Sequence, residues 1–308
     1  LDAVSFDVAP GRTLAIVGPS GAGKTSLLRA IAGLARASGT IAIGARRLET
    51  LVPQDRRVAL VFAKDALLEH RTIRENIRFG MRSPVEDRRI DELALALDIE
   101  RHLPRRPRDL STGERQRAAI ARAVLADPEV LLLDEPLAPL DPQLRARVRD
   151  ELLAVRTRFA GPMIVVTHDH LDAMTVAHEL AVLIDGRLED CGEPQRVYDA
   201  PATLKAAMFL GVRPMNALDG AALGESASVI VGIRPERMYL RDDGMLSGTV
   251  ERIERTGADA YMALQTNAGR ALVRIDPSEI PQAGARIRAG WRPEDVRRYD
   301  RDSGRALP

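Results

Sequence analysis

The chain has 308 residues, enough for two domains and a sizeable core, and 45% hydrophobic with 29% charged residues is the balance of an ordinary soluble globular protein. A formal net charge of +1 excludes a nucleic-acid binder held by bulk charge, and a single cysteine, Cys191, excludes an internal disulfide framework and fits a reducing compartment. No apolar run reaches the roughly 20 residues of a membrane span, and no signal peptide is visible.

In chain order, Thr13 to Val17 predicts a strand, Gly18 to Gly23 a loop, and Thr25 to Ala35 a helix; Val58 to Phe62 predicts a second strand. From about Asp65 to Ala126 the pattern is that of a mainly helical insert, with helical apolar spacing over Asp87 to Leu97. Val130 to Leu133 is a continuous apolar run suited to a strand buried on both faces. Asp141 and Pro142 supply an N-cap and a first-turn proline for a helix ending near Phe159. Met163 to Thr167 and Leu180 to Ile184 complete an α/β unit with a parallel sheet wrapped by helices. After about Gly211, short alternating stretches (Thr249 to Ile253, Tyr261 to Leu264, Ala271 to Ile275) separated by Gly, Asp and Asn predict a small β-rich, barrel-like domain.

The segment GPSGAGKTS, residues 18–26, holds the spacing G-x-x-x-x-G-K-[ST] at Gly18, Gly23, Lys24 and Thr25. Glycines let the backbone curl until several N–H groups point at one cluster of oxygens. Lys24 then reaches the outer phosphates of a nucleoside triphosphate, and the Thr25 hydroxyl ligates Mg²⁺. Lysine is otherwise almost avoided, at Lys64 and Lys205 only, yet it stands where a compact point charge suits a phosphate. A plain glycine-rich turn is the competing reading, and the strand before and helix after weigh against it.

VLLLDEP, residues 130–136, places Asp134 and Glu135 where a buried strand stops. Asp134 suits Mg²⁺, through water, and Glu135 suits polarisation of an attacking water. Neighbouring side chains on a strand point to opposite faces, so both serve one site only if the strand has ended; Pro136 predicts that end. His168 follows the strand Met163 to Thr167, at the sheet edge where ligands collect in open parallel sheets. LSTGE, residues 110–114, carries two readings. Ser111 and Glu114 form an S-x-x-E capping box, while Gly113 leaves backbone N–H groups open to an anion.

Taken in order, the phosphate loop, LSTGE, LLLDEP, APLD and THD resemble the ATPase subunit of ABC transporters. PQDRRVALVF, HRTIRENIRFG, FLGVRPMN and GIRPE resemble the importer branch handling sugars, glycerol phosphate and related solutes, GIRPE belonging to its appended OB-like regulatory domain. The resemblance implies a P-loop NTPase cassette over residues 1–212, with a helical subdomain at about 65–126, and an OB-like (TOBE) domain over 213–308. It implies ATP and Mg²⁺ held by Gly18, Pro19, Ser20, Gly21, Ala22, Gly23, Lys24, Thr25, Ser26 and Asp134. Glu135 and His168 would be catalytic. Ser111, Gly113 and Asp141 would meet the nucleotide across a head-to-tail dimer.

The implied partners are a second ATPase subunit, two transmembrane permease subunits docking near Leu67 to Ile77 and, indirectly, a solute-binding protein; no nucleic acid is implied. The implied location is cytoplasmic, peripheral on the inner face of the membrane. The chain departs from the family at Ala63, where glutamine is usual, at Thr112, where glycine is common, and at Pro139. The aromatic residue that stacks on adenine would precede Leu1. Slower hydrolysis or weaker coupling is the expected consequence. Two alternatives stay open: a weakly hydrolysing regulatory cassette of a heterodimer, and a non-transport ABC ATPase acting on DNA or ribosomes. Cys191, Trp291 and the histidines other than His168 read as structural or surface residues, and the arginines of 101–108 as a solvated face.

Overall fold

Thr13–Val17 forms β1, every residue of which is buried, and it is followed by the phosphate loop and α1 (Lys24–Ile31). A two-stranded ribbon of β2 (Ala42–Ile43) and β3 (Arg46–Arg47) leads to β4 (Val58–Val61). Next come α2 (Ile73–Phe79), α3 (Asp87–Ala96) and α4 (Thr112–Leu125), then β5 (Val130–Asp134), α5 (Pro142–Arg158), β6 (Met163–Thr167), α6 (His170–Val176), β7 (Glu179–Ile184) and β8 (Arg187–Gly192). The computed structural model describes all residues except 63–66, 80, 82–86, 138–141, 258 and 279, and the side chains of 142–144 and 147. Ala63, Pro139 and Asp141 therefore lie outside the described residues.

The sheet order is β4-β5-β6-β1-β7-β8, parallel from β4 to β7. Strands β1, β5 and β6 are buried along their whole length, as the unbroken apolar runs require of strands covered on both faces. Two clusters cover the sheet. Leu14, Ile16, Leu28, Leu132 and Val166 form one, while Leu131, Leu133, Val148, Leu152 and Val165 form the other. The second cluster continues into Ile73, Ile77, Ile90, Leu97 and Ile120, so α2, α3 and α4 share a core with one sheet face. Between β4 and β5 the described residues form helices and turns and no strand.

Two differences from the sequence-based elements are physical. The helix after the phosphate loop stops at Ile31, because Gly33 takes φ +80° and ends it in a left-handed turn. The sheet also gains an antiparallel edge, β8 on β7, whose sequence RLEDCG lacks a buried alternation and so gives no strand signal.

The chain divides into two compact units, Leu1–Pro194 and Gln195–Pro308. The second carries α7 (Pro194–Asp199) and α8 (Leu204–Phe209) and then, apart from three single-turn 3-10 helices, strands: β9 (Asn216–Asp219), β10 (Val229–Ile233), β11 (Tyr239–Leu240), β12 (Leu246–Arg255), β13 (Ala260–Thr266), β14 (Gly269–Ile275), β15 (Arg286–Gly290) and β16 (Arg297–Asp300). They make an antiparallel three-stranded sheet, β16-β10-β9, and an antiparallel five-stranded sheet, β11-β15-β12-β13-β14, consistent with an OB-like domain. Val231, Ile233, Met262, Leu264, Val273 and Trp291 are among its core residues. Asn216 fastens the two sheets: its side-chain amide donates to Leu272 O and accepts from Leu272 N–H, each at 2.7 Å.

Candidate active site

Since β6 lies between β1 and β5, the turns leaving all three strands arrive side by side at the carboxyl edge of the sheet. The first of these turns is the phosphate loop. Gly18 passes so close to β7 that a Cβ there would lie 2.0 Å from Leu183 O, which forbids any side chain. Gly23 takes φ +100° immediately before α1, a left-handed conformation that leaves the first N–H groups of that helix facing the loop. Lys24, 8% exposed, donates from Nζ to Gly18 O at 2.8 Å and Pro19 O at 3.0 Å, so its ammonium lies in the curl of the loop. Burial pulls its pKa down, opposed by the charges of Glu135 and Asp134.

Thr25 Oγ1 donates to Asp134 Oδ1 at 3.0 Å. Asp134, 5% exposed, has its carboxyl pushed up by burial and by the neighbouring Glu135 charge, against the Thr25 hydrogen bond and the charges of Arg29 and Lys24. A hydroxyl and a buried carboxylate at this distance are hard oxygen donors of the kind Mg²⁺ takes, so the residues fit that ion. Glu135 keeps its N–H on Val166 O at 2.9 Å yet adopts φ +51°. This left-handed residue, rather than Pro136 alone, turns the chain so that consecutive carboxylates serve one edge. Glutamate is not a residue type that favours positive φ, so nothing in the sequence signals it. Its Oε2 lies 2.9 Å from His168 Nδ1, and the imidazole is 57% exposed.

Ser111 and Gly113 stand apart from this cluster; among the described residues no hydrogen bond joins them to it. Ser111 is the N-cap of α4, its hydroxyl accepting from Glu114 N–H at 3.3 Å while Glu114 accepts from Ser111 N–H at 2.8 Å. Burial favours a neutral Glu114. The Ser111 N–H and hydroxyl, with His102 and Arg117, outweigh it and hold the carboxyl below its ordinary value. His102 is itself buried, its Nε2 3.2 Å from Glu114 Oε1, a support for the cap that the sequence reading missed.

In the second unit, GIRPE closes a clasp. Arg234, 3% exposed, donates to Ala207 O at 3.1 Å, to Leu210 O and to Tyr198 O at 2.9 Å, with its guanidinium 4.1 Å from the centre of the Tyr198 ring. Tyr198 donates to Glu236, and burial together with that carboxylate pushes its hydroxyl pKa up.

A family model described as ABC transporter matches residues 1–138, and one for the TOBE domain matches residues 231–298. The sn-glycerol-3-phosphate import ATP-binding protein UgpC of Rhodopseudomonas palustris (strain BisA53) is 40% identical over 298 residues, 90% of this chain and 82% of the relative. The protein of the same name from Chromobacterium violaceum is 36% identical over 337 residues, 100% of this chain and 91% of the relative. Among solved structures, the ATP-binding cassette MJ0796, in a dimeric post-hydrolysis state bound to ADP and Pi, is 27% identical with a TM-score of 0.55, over 61% of this chain and 88% of that one. The sequence similarity across most of the chain, the cassette fold and the loop at Gly18–Ser26 together carry the assignment: this chain belongs to the ABC transporter family, as an ATP-binding and ATP-hydrolysing subunit.

Proposed function

We propose that this chain powers import of a sugar-like or glycerol-phosphate-like solute through two transmembrane permease subunits fed by a solute-binding protein. In this reading it works from the cytoplasmic face of the membrane. No helix among the described residues is long and apolar enough to cross a bilayer, and in this reading the partners supply the conduit. Two copies, or this chain and a close relative, enclose each ATP between one subunit's Gly18–Ser26 loop and the other's Ser111–Gly113 helix end. Asp141, outside the described residues, is assigned to the same seam by the family resemblance alone.

The observation that carries the reading is the convergence of hydrogen-bonded pairs, Thr25 with Asp134 and Glu135 with His168, on one sheet edge beside the phosphate loop. Glu135 accepts a proton from the attacking water as that water meets the γ-phosphate. His168 has Nδ1 on Glu135 and presents its other ring nitrogen to the phosphate oxygens; donation there calls for the imidazolium, which carries an N–H on both nitrogens. Lys24 stays cationic in the cradle and offsets the charge gathering on the outer phosphates. Thr25 and Asp134 would hold Mg²⁺, which when bound neutralises phosphate oxygens and orients them.

The test is Glu135→Gln, which keeps size and loses the base. With ATP and Mg²⁺ the variant should elute from size-exclusion chromatography as a dimer and turn over slowly; a variant that stays monomeric with ATP counts against the shared nucleotide. Ala63 favours a second reading, a weakened cassette paired with a more active relative. Turnover of the isolated chain, compared with that of Ala63→Gln, separates the two: rates within twofold of each other remove the importance assigned to Ala63.

A further inference from the structure

His168 sits in the turn between β6 and α6, and that turn is fastened at both ends. Asp169 caps α6: its Oδ1 accepts from Leu171 N–H at 2.9 Å and Asp172 N–H at 3.1 Å, while its own N–H donates to Thr167 Oγ1 at 3.0 Å. These local bonds leave Asp169 Oδ2 for a partner outside the turn, and Arg145 Nη1 takes it at 2.8 Å. Asp172, 2% exposed, faces Arg149 Nη1 at 3.4 Å and Arg145 Nε at 4.0 Å. Arg145 and Arg149 are one helical turn apart on α5, so both project toward α6.

These ion pairs return little net stability: the Arg145–Asp169 pair is partly exposed and screened by solvent, and at buried Asp172 desolvation offsets the attraction. Burial does raise the carboxyl of Asp172, with the Asp169 charge adding to it and both arginines opposing. What such pairs supply is geometry, since planar guanidinium groups fix the distance and angle between two helices. One of those helices, α5, begins at Pro142; the other, α6, begins two residues after His168.

We propose that Arg145, backed by Arg149, is a positioning residue for hydrolysis: through Asp169 and Asp172 it ties the His168 turn to α5 and so holds it at a set place relative to Glu135. The inference rests on the assignment of Glu135 and His168 to hydrolysis made above.

Steady-state ATP turnover of the full chain tests it, using Arg145→Ala, Asp169→Asn and the two combined. Asparagine keeps the cap of α6 but drops the charge that holds Arg145, so this variant preserves the local fold. Each single substitution is expected to lower kcat on the order of tenfold, short of the roughly hundredfold that a displacement of about 1 Å costs, with the KM for ATP unchanged. The double variant should be no slower than the slower single one, because both changes cut the same link. Wild-type kcat in Asp169→Asn, effects that multiply in the double variant, or a loss confined to KM would each overturn the proposal. His168→Ala is the separate control on the reading beneath it. If that variant turns over like wild type, the hydrolytic assignment of His168 fails, and the positioning role fails with it.

Discussion

Thr25 and Asp134, 109 positions apart in sequence, meet at 3.0 Å because β6 alone separates the strands that carry them to the sheet edge. This contact sets a conflict between stability and chemistry, for Asp134 is a carboxylate held out of water beside a second one. Its folded pKa is raised above the ordinary 3.8. The stability it contributes is therefore present below the ordinary aspartate value and lost as pH rises through the raised one. Asparagine does not titrate and still accepts from Thr25. Asp134→Asn should accordingly melt above wild type at neutral pH without nucleotide, the gap closing on acidification, while turnover falls about a hundredfold or more. Thermal scans across pH check this; a gap independent of pH would show that the charge is not the cause.

Glu135 holds φ +51°, a conformation costing an L-residue about 1–2 kcal/mol. Glu135→Ala keeps the strain and Glu135→Gly releases it, so the glycine variant should be the more stable by about 1 kcal/mol, both being inactive. Chemical denaturation of the two variants measures the difference. Equal stabilities would mean that the turn costs nothing.

Ser111 has a structural duty, capping α4, and a proposed binding duty across the dimer seam. Ser111→Ala should cost about 1 kcal/mol of stability and also turnover. Aspartate is as good a cap as serine but presents a carboxylate to the triphosphate, so Ser111→Asp should recover stability without recovering turnover. Parallel melting and ATPase assays separate the duties; recovery of both would leave Ser111 as a cap alone.

In the second unit, Arg234→Ala would strip hydrogen-bond donors from Ala207, Leu210 and Tyr198 carbonyls at once. Buried acceptors left unpaired make this a loss of roughly 3 kcal/mol. Lysine cannot reproduce the fork or the stacking on Tyr198, so Arg234→Lys should recover less than half of it. Proteolysis rates across residues 195–210 report the effect directly, because this clasp holds α7 and α8 within their unit.

The sequence alone determined what depends on short-range chemistry: the loop spacing at Gly18 to Thr25, the acidic end of β5, the apolar runs of strands buried on both faces, and the cap at Ser111. Each is written in consecutive residues, since a tight turn, a helix start or a buried strand constrains its own neighbours. Only the tertiary structure decided what depends on strand order and distant pairing. It set the Thr25–Asp134 and Glu135–His168 contacts, and the left-handed turn at Glu135. It brought Arg145 and Arg149 onto Asp169 and Asp172, and Arg234 onto Tyr198. An arginine in sequence gives no sign of its partner, because its long side chain spans between elements whose neighbours are chosen by packing of the apolar core.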